Sequence, residues 1–117
     1  MHIKTIDLKL KNDYSYLFKG SDVKWTVLLS KICESMQCDA VKFANEALDH
    51  HLTYADMAIF IKNKFEGQHG GKWCCVVGFD ADIGSTVSHK PDIYFHRGEL
   101  GIVLFKTEVC KQLNPKI

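Results

Sequence analysis

The chain has 117 residues, 46% of them hydrophobic and 25% charged, the make-up of a single globular domain with its own core. Lys plus Arg number 15 against 14 Asp plus Glu, so phosphate neutralisation gives no drive toward nucleic acid. No stretch approaches the roughly 20 apolar residues that span a bilayer, and the opening MHIKTIDLKLKND lacks the apolar centre and cleavage site of a secretory signal, so a cytosolic protein with no membrane partner is the expectation.

Residues 1–22 read as an N-terminal extension. Ile6, Leu8 and Leu10 alternate with charged residues, the pattern of a short strand that pairs onto the main body or onto a partner. Asn12-Asp13 and Lys19-Gly20-Ser21-Asp22 are turn-like. Trp25, Val27 and Leu29 then alternate and predict a strand over 24–29 with all three on one face.

Over 32–51 the period becomes helical. Met36, Ala40, Phe43, Ala44, Ala47 and Leu48 fall on one stripe, and His50 and His51 close it at the negative end of the helix dipole. Thr53 with Asp56 three residues on predicts the N-cap of a second helix. Met57, Phe60, Ile61 and Phe65 form its apolar face, Gly67 is its expected C-cap, and Gly70-Gly71 makes a loop.

Residues 73–106 read WCCVVGFDADIGSTVSHKPDIYFHRGELGIVLFK. Short apolar runs broken by Gly, Asp and Pro predict a compact antiparallel sheet. The fold class is therefore α+β, two helices packed on an antiparallel sheet. The runs 73–77 and 100–105 are apolar on both faces and must be covered twice. Two helices cover one face, so a second chain is the simplest cover for the other. Residues 83–89 predict a polar strand with Ile83, Ser85, Val87 and His89 on one face and Gly84, Thr86 and Ser88 on the other. A strand of this kind takes an extended peptide by main-chain pairing, or is an ordinary edge blunted by polarity. The residues alone leave both open.

Catalytic and metal chemistry find little support. Gly70-Gly71-Lys72 resembles a phosphate loop, but Glu66 and Trp73 stand where that loop needs Gly and Ser or Thr. His69, Cys74 and Cys75 have no zinc spacing, because the two cysteines point to opposite strand faces. Ser85 and His89 share a face but lie about 13 Å apart on a strand, too far for a nucleophile and its base. Five cysteines, an odd number, read as reduced apolar residues. No enzyme activity, metal or cofactor is expected.

Several blocks together resemble one family. They are 36–48 with FANEAL, 57–65 with IKNKF, Trp73-x-Cys75-Val76-Val77-Gly78, Gly84-Ser85-x-Val87-Ser88-His89, and Ile93-Tyr94-Phe95-x-x-Gly98 running into Leu104-Phe105-Lys106. In order, spacing and type they resemble the smallest dynein light chains, the dimeric hub type, over residues 26–107. The resemblance implies a light-chain domain over 23–107 between the extension and a tail at 108–117. It implies an α+β, strand-exchanged dimer with two parallel grooves, each taking a linear peptide beside the exchanged strand.

By resemblance, the exchanged strand is 83–89, and Ile83, Gly84, Ser85, Thr86, Val87, Ser88 and His89 line the groove with Tyr94 and His96. The start of the second helix, Leu52, Tyr54 and Ala55, caps the peptide. Cys74, Thr86 and Val87 fall at the subunit interface. The implied partners are dynein intermediate chain peptides, a second copy or a related light chain, and through them the heavy chain and microtubules. A motor-independent hub for disordered proteins and a heterodimer-only subunit are the rivals. The sequence departs from the family pattern at Thr86 and His96, where tyrosines are usual, at Tyr54 and Ala55, where an acidic-basic pair is usual, and at Cys74, where a histidine is usual. With Cys74 there, dimerisation is expected to resist mild acid better than in the family. Two residues are added between 79 and 83. These departures and the extension point to a specialised paralogue in the cytoplasm and cytoskeleton or in the ciliary axoneme, where outer dynein arms carry such chains.

Overall fold

The computed structural model describes residues 6–10, 15–18, 24–86 and 91–107, with the backbone alone for 6–10 and 84–86. In chain order the elements are β1 (Ile6–Leu10), β2 (Ser15–Phe18), β3 (Trp25–Ser30), α1 (Glu34–Asp49), α2 (Tyr54–His69), β4 (Trp73–Phe79), α3 (Asp80–Thr86), β5 (Ile93–Arg97) and β6 (Leu100–Lys106). The strands form one six-stranded sheet in the order β1-β2-β3-β5-β6-β4, with every pairing antiparallel. Two long helices on one face of this sheet make the α+β fold that the sequence predicts.

The helices form where the periodicity places them, with two adjustments. α1 buries Gln37, Ala40, Val41, Phe43, Ala44 and Ala47, so its buried stripe turns slightly from the expected one, leaving Met36 and Leu48 at the margin. Gln37 is tolerated inside because its Nε2 donates to the Tyr16 hydroxyl at 2.9 Å, and a buried amide with a partner costs little. α2 begins at the expected cap: the Thr53 hydroxyl accepts from the Asp56 N–H at 3.1 Å. It ends later than expected. Gly67 lies inside the helix, and Gly70 caps it with φ 75 and its N–H on the Glu66 carbonyl, a left-handed turn that glycine makes without strain.

Residues 70–72 then turn the chain into β4, which runs along α2. The Trp73 N–H donates to Glu66 Oε2 at 2.9 Å, and the Trp73 indole donates to the Gly70 carbonyl at 3.0 Å. The Trp73 N–H holds the Glu66 carboxyl below the usual carboxylate range. Glu66 is therefore the brace of this loop, which accounts for an acid where a phosphate loop needs glycine.

The core lies between the helices and the sheet. Trp25 is fully buried on β3, packs at a tilt against Phe95 with ring centroids 5.5 Å apart, and donates its indole N–H to Asn45 Oδ1 at 2.9 Å. Ile93, Phe95, Ile102 and Leu104 join Met57, Ile61 and Phe65 there. β2 also enters this core, since Tyr16 and Phe18 are buried in it. The chain before Trp25 thus contributes a hairpin to the sheet: β1 forms where the alternation of Ile6, Leu8 and Leu10 predicts a strand, whereas its mate β2 was not expected. The turns expected at 12–13 and 19–22 and the tail at 108–117 lie outside the described residues.

Candidate functional site

The sheet face away from the long helices is built by register. Leu29 pairs with Tyr94, Tyr94 with Val103, and Val103 with Val76, so these four form an apolar row across β3, β5, β6 and β4. Leu29 was expected beside Trp25 and Val27. A bulge between Val27 and Leu29 shifts the register by one residue and turns Leu29 to the opposite face. The row is open at both ends: Leu29 is 49% and Val76 43% exposed. Among the described residues β4 is also an edge strand, with no strand beside it on one side.

The middle of the row is covered by α3. The sequence predicts a strand over 83–89, and this is corrected for residues 83–86: in the single chain they continue a seven-residue helix that begins at Asp80. A strand there would need a neighbour, whereas a helix satisfies its own backbone. Asp80 and Asp82 in its first turn suit the helix dipole. Ile83, 5% exposed, packs on Tyr94 and Val103. Val87, Ser88 and His89 lie outside the described residues, as do the side chains of Gly84, Ser85 and Thr86.

Asp80 is the polar anchor of this face. Its N–H donates to the Glu99 carbonyl at 2.6 Å, and its Oδ1 accepts from the Tyr94 hydroxyl at 2.8 Å. Its Oδ2 is 3.3 Å from His96 Nδ1. That nitrogen is buried and makes no aligned hydrogen bond, so the contact acts through charge when the ring is protonated. Burial, then the Asp80 carboxylate, pushes the Tyr94 phenol up to about 12, which keeps it a donor. Gly101 makes the docking possible: a Cβ there would stand 2.9 Å from Asp80 Cα.

Of the residues expected in a peptide groove, Ile83, Tyr94 and His96 therefore meet on this face. Tyr94 and His96 approach each other through Asp80, a residue that sequence reasoning missed; its only signal is the two-residue insertion at 79–83. Tyr54 and Ala55 are exposed on the first turn of α2, on the helix side of the sheet, and a single chain does not bring them to Tyr94 and His96. Cys74 is half-buried on the open face, opposite Phe105 in register. Cys75 points the other way and packs against the core, as neighbouring strand residues must.

The cysteines differ sharply in reactivity. Burial, with neighbouring Cys74 adding to it, pushes the Cys75 thiol up to about 12. The exposed Cys33 thiol is lowered, first by its contact with the Ser35 hydroxyl and then by the Met36 N–H. Because the thiolate is the reactive form, iodoacetamide at about pH 7.5 should modify Cys33 at least ~1,000-fold faster than Cys75. Peptide mass spectrometry of the folded protein reads both rates, and equal rates would place Cys75 outside the core. Cys110 lies outside the described residues.

Comparison with known proteins decides the kinship. A family model described as dynein light chain type 1 matches residues 24–107. The chain belongs to the dynein light chain family. It is similar to a cytoplasmic dynein light chain of Emericella nidulans, with 43% identity over 77 residues, covering 64% of this chain and 80% of that protein. A dynein light chain role follows from this membership, and the element order from β3 to β6 spans the matched region.

Proposed function

We propose that this chain is a non-catalytic dynein light chain that dimerises by strand exchange and holds intermediate chains through β-strand addition. The observation that carries the reading is the edge of β4, which no described strand pairs, beside an apolar face exposed at Val76 and Leu29. Residues 83–89 of one copy cross over as a strand and pair along β4 of the other. Two sheet faces then cover each other, with Cys74, Thr86 and Val87 in the interface. The exchanged strand becomes the new edge, and an extended peptide adds to it. Gly84, Ser85, Ser88 and His89 offer main-chain pairing there, and Ile83, Tyr94 and His96 supply side-chain contacts. Tyr54 and Ala55, on the helix side, cap the peptide once the new edge has formed. Two such grooves clamp two disordered intermediate chains side by side, so bivalency replaces strong single-site binding.

The related protein from Emericella nidulans is named cytoplasmic, which supports a cytoplasmic, cytoskeletal place for this chain over an axonemal one. The test is native co-purification of the tagged full chain together with its sedimentation. Recovery of dynein intermediate and heavy chains with a dimeric light chain is the expected result. A dimer that brings unrelated disordered proteins and no motor chain would make it a general hub instead, and a chain that stays monomeric at high concentration would remove the exchange mechanism.

A further inference from the structure

We propose that α3 is an autoinhibitory latch: docked through Asp80 and Ile83 on its own sheet, it hides the face that dimerisation needs and must let go before exchange. The inference rests on the strand-exchange reading above and adds a control to it.

Three observations converge on the latch. Asp80 ties the start of α3 to β5 through the Tyr94 hydroxyl at 2.8 Å, and to the β5–β6 turn through the Glu99 carbonyl at 2.6 Å. Ile83 seals Tyr94 and Val103, leaving them 8% and 4% exposed while Leu29 and Val76 in the same row stay open. Gly101 leaves room for the Asp80 backbone and for little else, since a Cβ would meet Asp80 Cα at 2.9 Å. These contacts belong to the closed, single-chain form. The helix itself is weak, with seven residues that include Gly84 and Thr86, both poor helix formers. A short, poorly propagating helix held by one anchored acid and one apolar side chain is easily exchanged for a strand once a second β4 edge is near. The same contacts occupy Tyr94 and His96, so a latched chain presents no groove and an exchanged one does.

The experiment compares the full chain with Asp80→Ala and Gly101→Ala by sedimentation equilibrium, with circular dichroism to establish that each variant is folded. Asp80→Ala removes the anchor; Gly101→Ala forces the helix start off the sheet without touching α3. Each acts on a contact of the closed form. One lost charge-assisted hydrogen bond is worth about a tenfold shift per chain, and a dimer opens two latches, so Asp80→Ala should dimerise about 100-fold more tightly than the parent, and Gly101→Ala, through its clash, should also dimerise more tightly. If parent and variants share one dimer constant, or the variants dimerise more weakly, the latch is wrong while the dimer stands. If none of the three self-associates, the exchange reading fails and the latch fails with it. Two variants acting from opposite sides of the contact keep the test open if one of them does not fold.

Discussion

Val76→Glu should abolish the proposed dimer while leaving the single chain folded. Val76 sits in the middle of β4, opposite Val103 on β6, and is 43% exposed in one chain. A glutamate there keeps its charge in water, and the loss of a β-branched residue from a half-exposed strand costs about 1 kcal/mol or less. In the proposed dimer the same carboxylate would be buried against an apolar partner face. An unpaired buried charge costs about 3 kcal/mol or more. A two-fold interface contains the substitution twice. The sum, about 6 kcal/mol, weakens dimerisation roughly 10,000-fold. Sedimentation equilibrium measures the constant, and a thermal melt of dilute protein reports on the single chain. Ile59→Glu is the control: Ile59 is 55% exposed on α2, on the helix side, and its replacement should leave the dimer intact. A Val76→Glu protein that sediments like the parent would show that this face is not the interface.

The contrast between these two positions bears on what the sequence reveals. Several elements set by one local rule follow the reading. The Thr53 cap, the Met57-Ile61-Phe65 face and the doubly apolar β4 and β6 form as their spacing predicts. The reading slips where a distant partner decides. Leu29 changes face because one bulged residue alters the register against β5. Gln37 enters the core because a tyrosine 21 residues earlier supplies its hydrogen bond. Neither bulge nor partner is encoded in the local alternation. Residues 83–86 are the sharpest case. Their alternation is that of a strand, yet a strand requires a neighbour, and in one chain the backbone closes on itself as a helix instead. Asp80, which anchors the start of this helix on the sheet, carries no motif and looks like a loop residue of an insertion.

The second large effect is expected at Tyr16, which lies outside the family match that begins at residue 24. Tyr16 is fully buried and accepts a hydrogen bond from Gln37 Nε2, itself in a position only 4% exposed. β2 meets β3 through Ser15 with Thr26 and Tyr16 with Trp25, so Tyr16 locks the hairpin to the first strand of the matched region. Tyr16→Ala removes a large aromatic ring from a packed site and leaves the Gln37 amide without its acceptor. The expected loss is about 3–5 kcal/mol from the cavity, with about 1–3 kcal/mol more for the orphaned amide unless water reaches it. Tyr16→Phe isolates the second part, because the ring stays and only the hydroxyl goes; it should cost about 1–3 kcal/mol. Urea denaturation of the two variants measures both losses, and their difference gives the packing share. If Tyr16→Ala is as stable as the parent, the hairpin is an appendage with no part in the core. If it is strongly destabilised, cutting the chain at residue 23 should leave a less stable protein with Trp25 open to solvent, since a family boundary drawn by likeness need not coincide with the boundary of a folded unit.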